Sequence, residues 1–110
     1  MKRQELLVAI STVLLITTWM GIYGQSNAWS SYQGNMSWED ANEKCKSIGM
    51  RLPTLKELKA AYDSGITKSW QNDGRNYWSS TPDSGGDNYV FNILDGSSHI
   101  AISAPVRCRR

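Results

Sequence analysis

Apolar residues recur every three or four positions after Met36, which is the period of an α-helix that buries one face. The recurring positions are Trp38, Ala41, Cys45 and Ile48. Ser37 stands directly before them, and serine often caps the first turn of a helix. Gly49 follows them, and glycine ends helices because it takes the left-handed conformation without strain. The pattern therefore predicts a first helix between Ser37 and Gly49.

A second helix is predicted a few residues later. Thr54 and Glu57 have the spacing of a capping box, in which each side chain accepts a hydrogen bond from the other residue's backbone N–H. The apolar stripe of this helix is Leu55, Leu58 and Tyr62. Pro53 keeps it separate from the first helix, because proline interrupts helical hydrogen bonding. The Asp-Ser-Gly segment at 63–65 is expected to end it.

The remaining chain has the composition of strands and turns. Residues 66–76 are predicted to be a loop, because they contain the turn signal Asn72-Asp73-Gly74. The segment 77–81 (YWSST) has strand composition, and residues 82–88 (PDSGGDN) are predicted to be a flexible turn.

Asp95-Gly96 is a preferred two-residue turn, and it predicts a β-hairpin. The resulting register pairs Ile93 with Ser98, Phe91 with Ile100, and Tyr89 with Ile102. These side chains are expected to share the buried face. The opposite, wetter face is expected to hold Asn92 opposite His99 and Val90 opposite Ala101.

A last strand is predicted over 105–109, with Val106 and Cys108 on one side and two arginines, Arg107 and Arg109, on the other. Helices that precede an antiparallel sheet indicate the α+β class. We therefore predict two short helices followed by a small antiparallel sheet.

The N-terminal segment 1–28 has the pattern of a signal peptide. Lys2 and Arg3 precede an apolar run from Leu6 to Met20, and small residues in the segment 26–28 (SNA) match a cleavage site. An uncleaved membrane anchor is the alternative, because the run is near the length of a bilayer span. Cleavage predicts an exported domain over 29–110, which is secreted, periplasmic or at the cell surface, with no stable membrane span after cleavage.

Charge and composition exclude several classes of protein. Twelve Lys and Arg against ten Asp and Glu give a net charge of +2 in 110 residues, too weak a balance to indicate nucleic-acid binding. Two cysteines and one histidine cannot supply a four-thiolate zinc site or a two-histidine catalytic metal site. We predict no metal and no cofactor.

The two cysteines, Cys45 and Cys108, predict a disulfide, because an even number of cysteines in an exported protein is typical of such bonds. Two free buried thiols and pairing between chains are the alternatives.

Four segments in order carry a resemblance to a known family: MSWEDANEKCKSIG, MRLPTLKEL, NYWSST and PVRCRR. Over about residues 36–110 the chain resembles the Lcl C-terminal domain family, which is named for the tail domain of a bacterial collagen-like adhesin. The resemblance implies a C-type-lectin-like fold and a Cys45–Cys108 bond. It also implies structural roles for the Arg51–Thr54 turn and for Trp78-Ser79-Ser80.

The sugar-binding motifs of calcium-dependent C-type lectins are missing. The chain has no Glu-Pro-Asn or Gln-Pro-Asp segment, and Trp70-Gln71-Asn72-Asp73 differs from Trp-Asn-Asp by an inserted glutamine. Calcium needs six to eight oxygen ligands, whereas Asp83, Asp87 and Asp95 are scattered through turns. The resemblance therefore does not carry lectin activity with it.

Two groups of residues are candidates for ligand binding. Trp29, Tyr32 and Trp70 are predicted to lie in loops, where an exposed ring stacks on a sugar; Trp70 is the main candidate. Arg107 and Arg109 are predicted to form a basic edge for an anionic glycan or an extracellular-matrix protein, although terminal arginines also commonly protect an edge strand.

These observations favour a non-enzymatic binding or adhesion domain for glycan or matrix ligands. The main alternative is a structural or assembly module of an envelope protein complex, without a soluble ligand. A remote alternative is an enzyme related to formylglycine-generating enzymes, which need a redox-active cysteine pair. The oligomeric state does not follow from the sequence.

Overall fold

The computed structural model describes residues 28–110. The predicted signal peptide, apart from its last residue, lies outside the described residues. Both predicted helices are present: α1 spans Trp38–Ser47 and α2 spans Leu55–Ser64. No helix among residues 28–110 is long and apolar enough to cross a membrane.

The helix ends follow the predicted local chemistry. Ser37 accepts a hydrogen bond from the backbone N–H of Asp40 at 3.3 Å, and Thr54 and Glu57 form the complete capping box. Gly49 and Gly65 lie just beyond the two helices with φ of 74° and 86°. These caps satisfy backbone groups that a helix end otherwise leaves unpaired.

The predicted loop after α2 is wrong in its first half. Residues Ile66–Trp70 form a 3-10 helix that buries Thr67 and Trp70. Left-handed Gly65 caps α2 and is also the N-cap of this helix, so the chain continues in a second helical segment.

The strands form two small antiparallel sheets. The strands β2 (Asn76–Pro82), β3 (Asn88–Asn92) and β4 (Ser98–Ile100) lie in the order β2-β3-β4. The two-residue strands β1 (Asn35–Met36) and β5 (Ala104–Pro105) pair with each other. The chain is therefore an α+β domain, as predicted.

The hairpin is present, but its predicted register is wrong by two residues. Its pairs are Tyr89 with Ile100, Val90 with His99, and Phe91 with Ser98. The turn is wider than Asp95-Gly96 alone, because the Asn92 side-chain oxygen accepts a hydrogen bond from the Leu94 N–H at 2.8 Å. The Asn92 N–H then donates to the Ser97 carbonyl at 2.8 Å and closes a four-residue turn.

The burial of the hairpin side chains also differs from the prediction. A shift of two residues keeps each side chain on its face, so the difference comes from which faces α1 and α2 cover. Ile100 is 57% exposed and Ile102 is 95% exposed. The prediction that both belong to the core is therefore wrong. Val90, which was predicted on the wetter face, is buried with α1 residues, whereas Phe91 is buried with α2 residues. Strand β3 therefore has a buried face on each side.

The disulfide between Cys45 and Cys108 is confirmed, with Cα atoms 5.4 Å apart. It joins α1 to the end of the chain inside the core cluster that contains Leu52, Trp78 and Val106. The last strand is shorter than predicted, but the burial of Val106 and Cys108 on the same side is confirmed.

Candidate functional site

Trp70 lies in the core and not in an exposed loop. Only 3% of it is exposed. Its ring makes an edge contact with Trp29 at a centroid distance of 4.9 Å and a tilted contact with Tyr77 at 5.2 Å. The prediction of an accessible ring is therefore wrong, because the 3-10 helix turns this side chain inward. Trp29 and Tyr32 are half-buried against the same cluster.

Arg107 is also held inside the protein, with a side chain that is only 12% exposed. It donates to the Asp73 carboxylate at 2.6 Å and to the Ser30 carbonyl at 3.2 Å. Its guanidinium lies 5.0 Å from the centroid of the Trp70 ring, a cation–π geometry. Arg107 thus joins three parts of the chain and is not a free cation.

Arg109 belongs to a second charged cluster. It donates to Glu57 at 3.1 Å and lies 5.1 Å from the centroid of the Trp29 ring. Arg51 donates two hydrogen bonds to the same carboxylate, at 2.7 and 2.8 Å. The predicted basic edge is therefore largely neutralised by carboxylates. A ligand-binding role for Arg107 and Arg109 stays a prediction.

The cluster of Glu57, Arg51 and Arg109 predicts that the stability of the domain falls at acid pH. Hydrogen bonds from Arg51 above all, and from the Thr54 N–H and Arg109, lower the pKa of Glu57 from 4.5 to about 2 despite partial burial. A carboxylate with a lowered folded-state pKa stabilises the protein above its unfolded pKa, and this stabilisation disappears as the pH falls from about 4.5 towards about 2. The Arg51 side chain is 51% exposed, so solvent screens its ion pair with Glu57. We therefore expect the charge of Glu57 to contribute about 1–2 kcal/mol to the free energy of unfolding.

Urea unfolding of wild type and Glu57→Gln at several pH values measures this effect. Glutamine preserves the capping box, so the difference in unfolding free energy isolates the charge. We expect the variant to be less stable by about 1–2 kcal/mol at pH 7 and equally stable near pH 2. An equal difference at both pH values would contradict an ionic origin.

A different pocket, of about 280 Å³, lies at the start of α1 beside the hairpin. We call it the Trp38 pocket. Its lining residues are Trp38, Glu39, Trp78, Gly86, Asp87, Asn88, Ala101 and Ile102. The two indoles are fixed in place, because Trp38 Nε1 donates to the Ser79 carbonyl at 3.0 Å and Trp78 Nε1 donates to the Met36 carbonyl at 2.8 Å.

The loop that carries Asp87 and Asn88 is held by Asp83. The Asp83 carboxylate accepts hydrogen bonds from the N–H of Gly85 at 3.0 Å and of Asp87 at 2.8 Å. The Asp83 N–H donates back to the Asp87 carbonyl at 2.6 Å. Asp83 thus has the local turn-forming role that aspartate often plays, and Asp87 is presented on an ordered turn.

Three polar side chains of the pocket have no partner among residues 28–110: Glu39, Asp87 and Asn88. Their positions at the rim, next to the half-buried Trp38 ring, combine an apolar surface with hydrogen-bonding groups. That combination is typical of small-molecule sites. Carboxylates accept hydrogen bonds and do not donate them, so this pocket suits a ligand rich in hydroxyl or amino groups.

Little in the sequence indicates this pocket. Trp38 fits the apolar stripe of α1, and the segment 82–88 has the composition of an ordinary turn. Only the general tendency of binding residues to lie in loops points towards Asp87 and Asn88. Tertiary packing places these two residues next to Trp38.

Asp95, Ser97 and His99 form a chain of hydrogen bonds in the hairpin turn. Ser97 Oγ lies 2.6 Å from an Asp95 carboxylate oxygen and 2.6 Å from His99 Nε2. The hydrogen bonds from Ser97 lower the pKa of Asp95. A nucleophilic serine needs an imidazole that accepts its proton, whereas here the serine donates to the aspartate. This arrangement stabilises the turn.

No three His, Cys, Asp or Glu side chains within 28–110 are close enough together to hold a metal ion. The three turn aspartates, Asp83, Asp87 and Asp95, include two that are engaged in local hydrogen bonds. Asp87 lines the Trp38 pocket.

A family model for a domain of unknown function (DUF8780) matches residues 29–108. The chain belongs to this family. The match covers nearly all of the predicted domain 29–110, and the Trp38 pocket and the disulfide both lie within the DUF8780 domain. The resemblance to the Lcl C-terminal domain family is no part of this match and stays a prediction. No curated protein matches the sequence.

Proposed function

We propose that this DUF8780 domain is an exported, non-enzymatic binding domain for glycans, and that the Trp38 pocket is its ligand site. The proposal rests on the position of the Trp38 ring in one pocket with Glu39, Asp87 and Asn88. These three polar side chains have no partner among the described residues. An aromatic ring packs on the apolar face of a sugar, while the carboxylates accept hydrogen bonds from its hydroxyl groups.

The charge of the pocket specifies the kind of glycan. Glu39 and Asp87 are its two charged residues, so a sulfated or carboxylated sugar is repelled. A neutral sugar is accepted, and an amino sugar gains both ion pairing and a cation–π contact with Trp38. This ligand class differs from the anionic glycans expected from the arginines.

Export and adhesion are part of the same proposal. The N-terminal pattern predicts a signal peptide over 1–28, and the DUF8780 match begins at residue 29. The motifs shared with the Lcl C-terminal domain family suggest a C-type-lectin-like fold and a role in adhesion. We therefore place the domain outside the cytoplasm, where glycans and matrix proteins are accessible.

A non-enzymatic role agrees with the state of the cysteines. Both of them are committed to one buried disulfide, so neither is available as the redox-active pair that a formylglycine-generating enzyme needs. Catalytic cysteines are partly exposed thiolates, whereas Cys45 and Cys108 are fully buried.

A glycan array probed with the exported protein tests this function. We expect binding to neutral or amino-sugar oligosaccharides, such as those of glucosamine, in preference to heparin. The double variant Glu39→Gln/Asp87→Asn keeps the shape of both side chains, and we expect about tenfold weaker binding from the loss of charge-assisted hydrogen bonds. Both side chains are exposed and have no hydrogen-bond or ion-pair partner within 28–110. The free energy of unfolding should therefore fall by no more than about 1 kcal/mol, from the loss of the Glu39 charge in the first turn of α1.

The matched control is Glu43→Gln, which removes one carboxylate further along α1 and outside the pocket. It should bind like wild type. Glycan binding that is unaffected by the double variant would disprove the site, and the absence of any glycan binding would disprove the function. Heparin binding that falls with added salt would favour the arginines instead.

The alternative is an assembly module without a soluble ligand. The observation that favours it is the exposure of Ile100 at the end of the edge strand β4 and of Ile102 just after it, since exposed apolar residues mark protein contacts when they form a patch.

A further inference from the structure

A groove of about 300 Å³ runs between α2 and the β3–β4 hairpin. Its apolar lining comes from Leu55 and Phe91, while Gly96 and Ser98 form the side nearest to β4. It shares no lining residue with the Trp38 pocket. It is therefore a separate surface from the proposed glycan site.

Both charged residues of the groove are basic: Lys56 and Lys59. Lys56 has no partner among residues 28–110. Lys59 pairs with Asp63 at 3.4 Å, but both side chains are more than half exposed, and such surface pairs contribute little. The groove thus has two cations available above an apolar floor.

The open edge of the three-stranded sheet lies next to this groove. Among residues 28–110, strand β4 pairs only with β3, so within this part of the chain one row of its backbone N–H and C=O groups is free to pair with another strand. Edge strands are usually protected by lysine, by other charges or by proline. The segment 98–102 (SHIAI) has none of these, and Ile100 is more than half exposed.

We propose that this surface binds an extended, acidic segment of another protein, which adds to β4 as a fourth strand. Its backbone pairs with the free edge of Ser98–Ile100, as in other cases of strand addition. Its side chains alternate between the two faces, so those on the α2 side place acidic groups beside Lys56 and Lys59. This inference does not depend on the glycan function.

Charge and hydrogen bonding favour this occupant over two others. A second copy of β4 carries no acidic side chain in 98–102, so self-pairing leaves the lysines without partners. An anionic lipid surface satisfies the lysines, but its acyl chains offer nothing to the unpaired backbone groups of β4.

Fluorescence anisotropy with a labelled peptide of alternating glutamate and valine tests the proposal on the exported protein. We expect binding that perturbs the NMR signals of Ser98–Ile100. Lys56→Glu/Lys59→Glu should weaken it by about tenfold, because two attractive charges become repulsive. The control, Lys44→Glu/Lys46→Glu, changes two exposed lysines on α1 and should leave the affinity unchanged.

Two further peptides separate the contributions of charge and backbone. An alternating lysine–valine peptide should not bind, and a glutamate–valine peptide with methylated backbone nitrogens on one edge should bind much more weakly. The proposal is overturned if the lysine peptide binds as well as the glutamate peptide, or if backbone methylation has no effect. It is also overturned if ultracentrifugation shows a dimer that Ile100→Lys dissociates, or if the protein binds anionic phospholipid vesicles but not the glutamate peptide.

Discussion

Replacement of Cys45 and Cys108 together by alanine is expected to lower the free energy of unfolding by about 4 kcal/mol. The bond closes a loop with a sequence separation of 63, and a loop of this length restricts the unfolded chain strongly. A domain of this size has a total stability of about 4–12 kcal/mol. Loss of the bond therefore removes a large part of it.

Thermal unfolding of the double variant and of wild type measures this loss. A decrease of about 15–30 °C in melting temperature corresponds to the expected free energy for a domain of 60–100 residues. Alanine is preferable to serine here, because both positions are fully buried and a buried hydroxyl adds its own penalty. Wild type unfolded with a reducing agent is the control and should resemble the variant. An unchanged melting temperature would show that the Cys45–Cys108 bond does not stabilise the domain.

Trp70→Ala is expected to destabilise the domain by about 3–5 kcal/mol, the range for removing a large buried aromatic side chain. The change removes the contacts with the Trp29 and Tyr77 rings and the surface over which the Arg107 guanidinium lies. Arg107 would keep its ion pair with Asp73, but beside a cavity. We therefore expect a large loss of stability and not a selective loss of ligand binding.

Urea unfolding of Trp70→Ala and Trp70→Phe tests this interpretation. Phenylalanine keeps a ring in the cluster and should lose clearly less stability than alanine. If Trp70→Ala were as stable as wild type but bound glycans more weakly, the prediction that Trp70 is an exposed stacking residue would be right. If Trp70 is a core residue, Trp70→Ala must instead lower stability first, and weaker glycan binding must follow only from unfolding.

The helices could be predicted because their signals are local. Ser37, Thr54 and Glu57 satisfy backbone groups within their own turn, and Gly65 ends α2 through its own conformation. The disulfide was predictable for a different reason, since Cys45 and Cys108 are the chain's two cysteines. None of these inferences needs the position of a distant residue.

The candidate site could not be predicted in the same way. Trp70 and Arg107 have the composition of a binding surface, yet they meet inside the domain because the 3-10 helix directs Trp70 towards the last segment of the chain. Trp38 and Asp87 have separate local explanations, as a helix stripe and as a turn. Only packing of α1 against the hairpin brings them to one pocket.

The sequence by itself determined the α+β class, both helices with their caps, and the disulfide, because these depend on spacing and residue type. The tertiary structure decided the register of the hairpin. The Asn92 side chain and the four-residue turn shift the pairing by two positions, which keeps every side chain on its predicted face. Burial then depends on which elements cover each face: α1 and α2 enclose β3, whereas β4 remains at the edge.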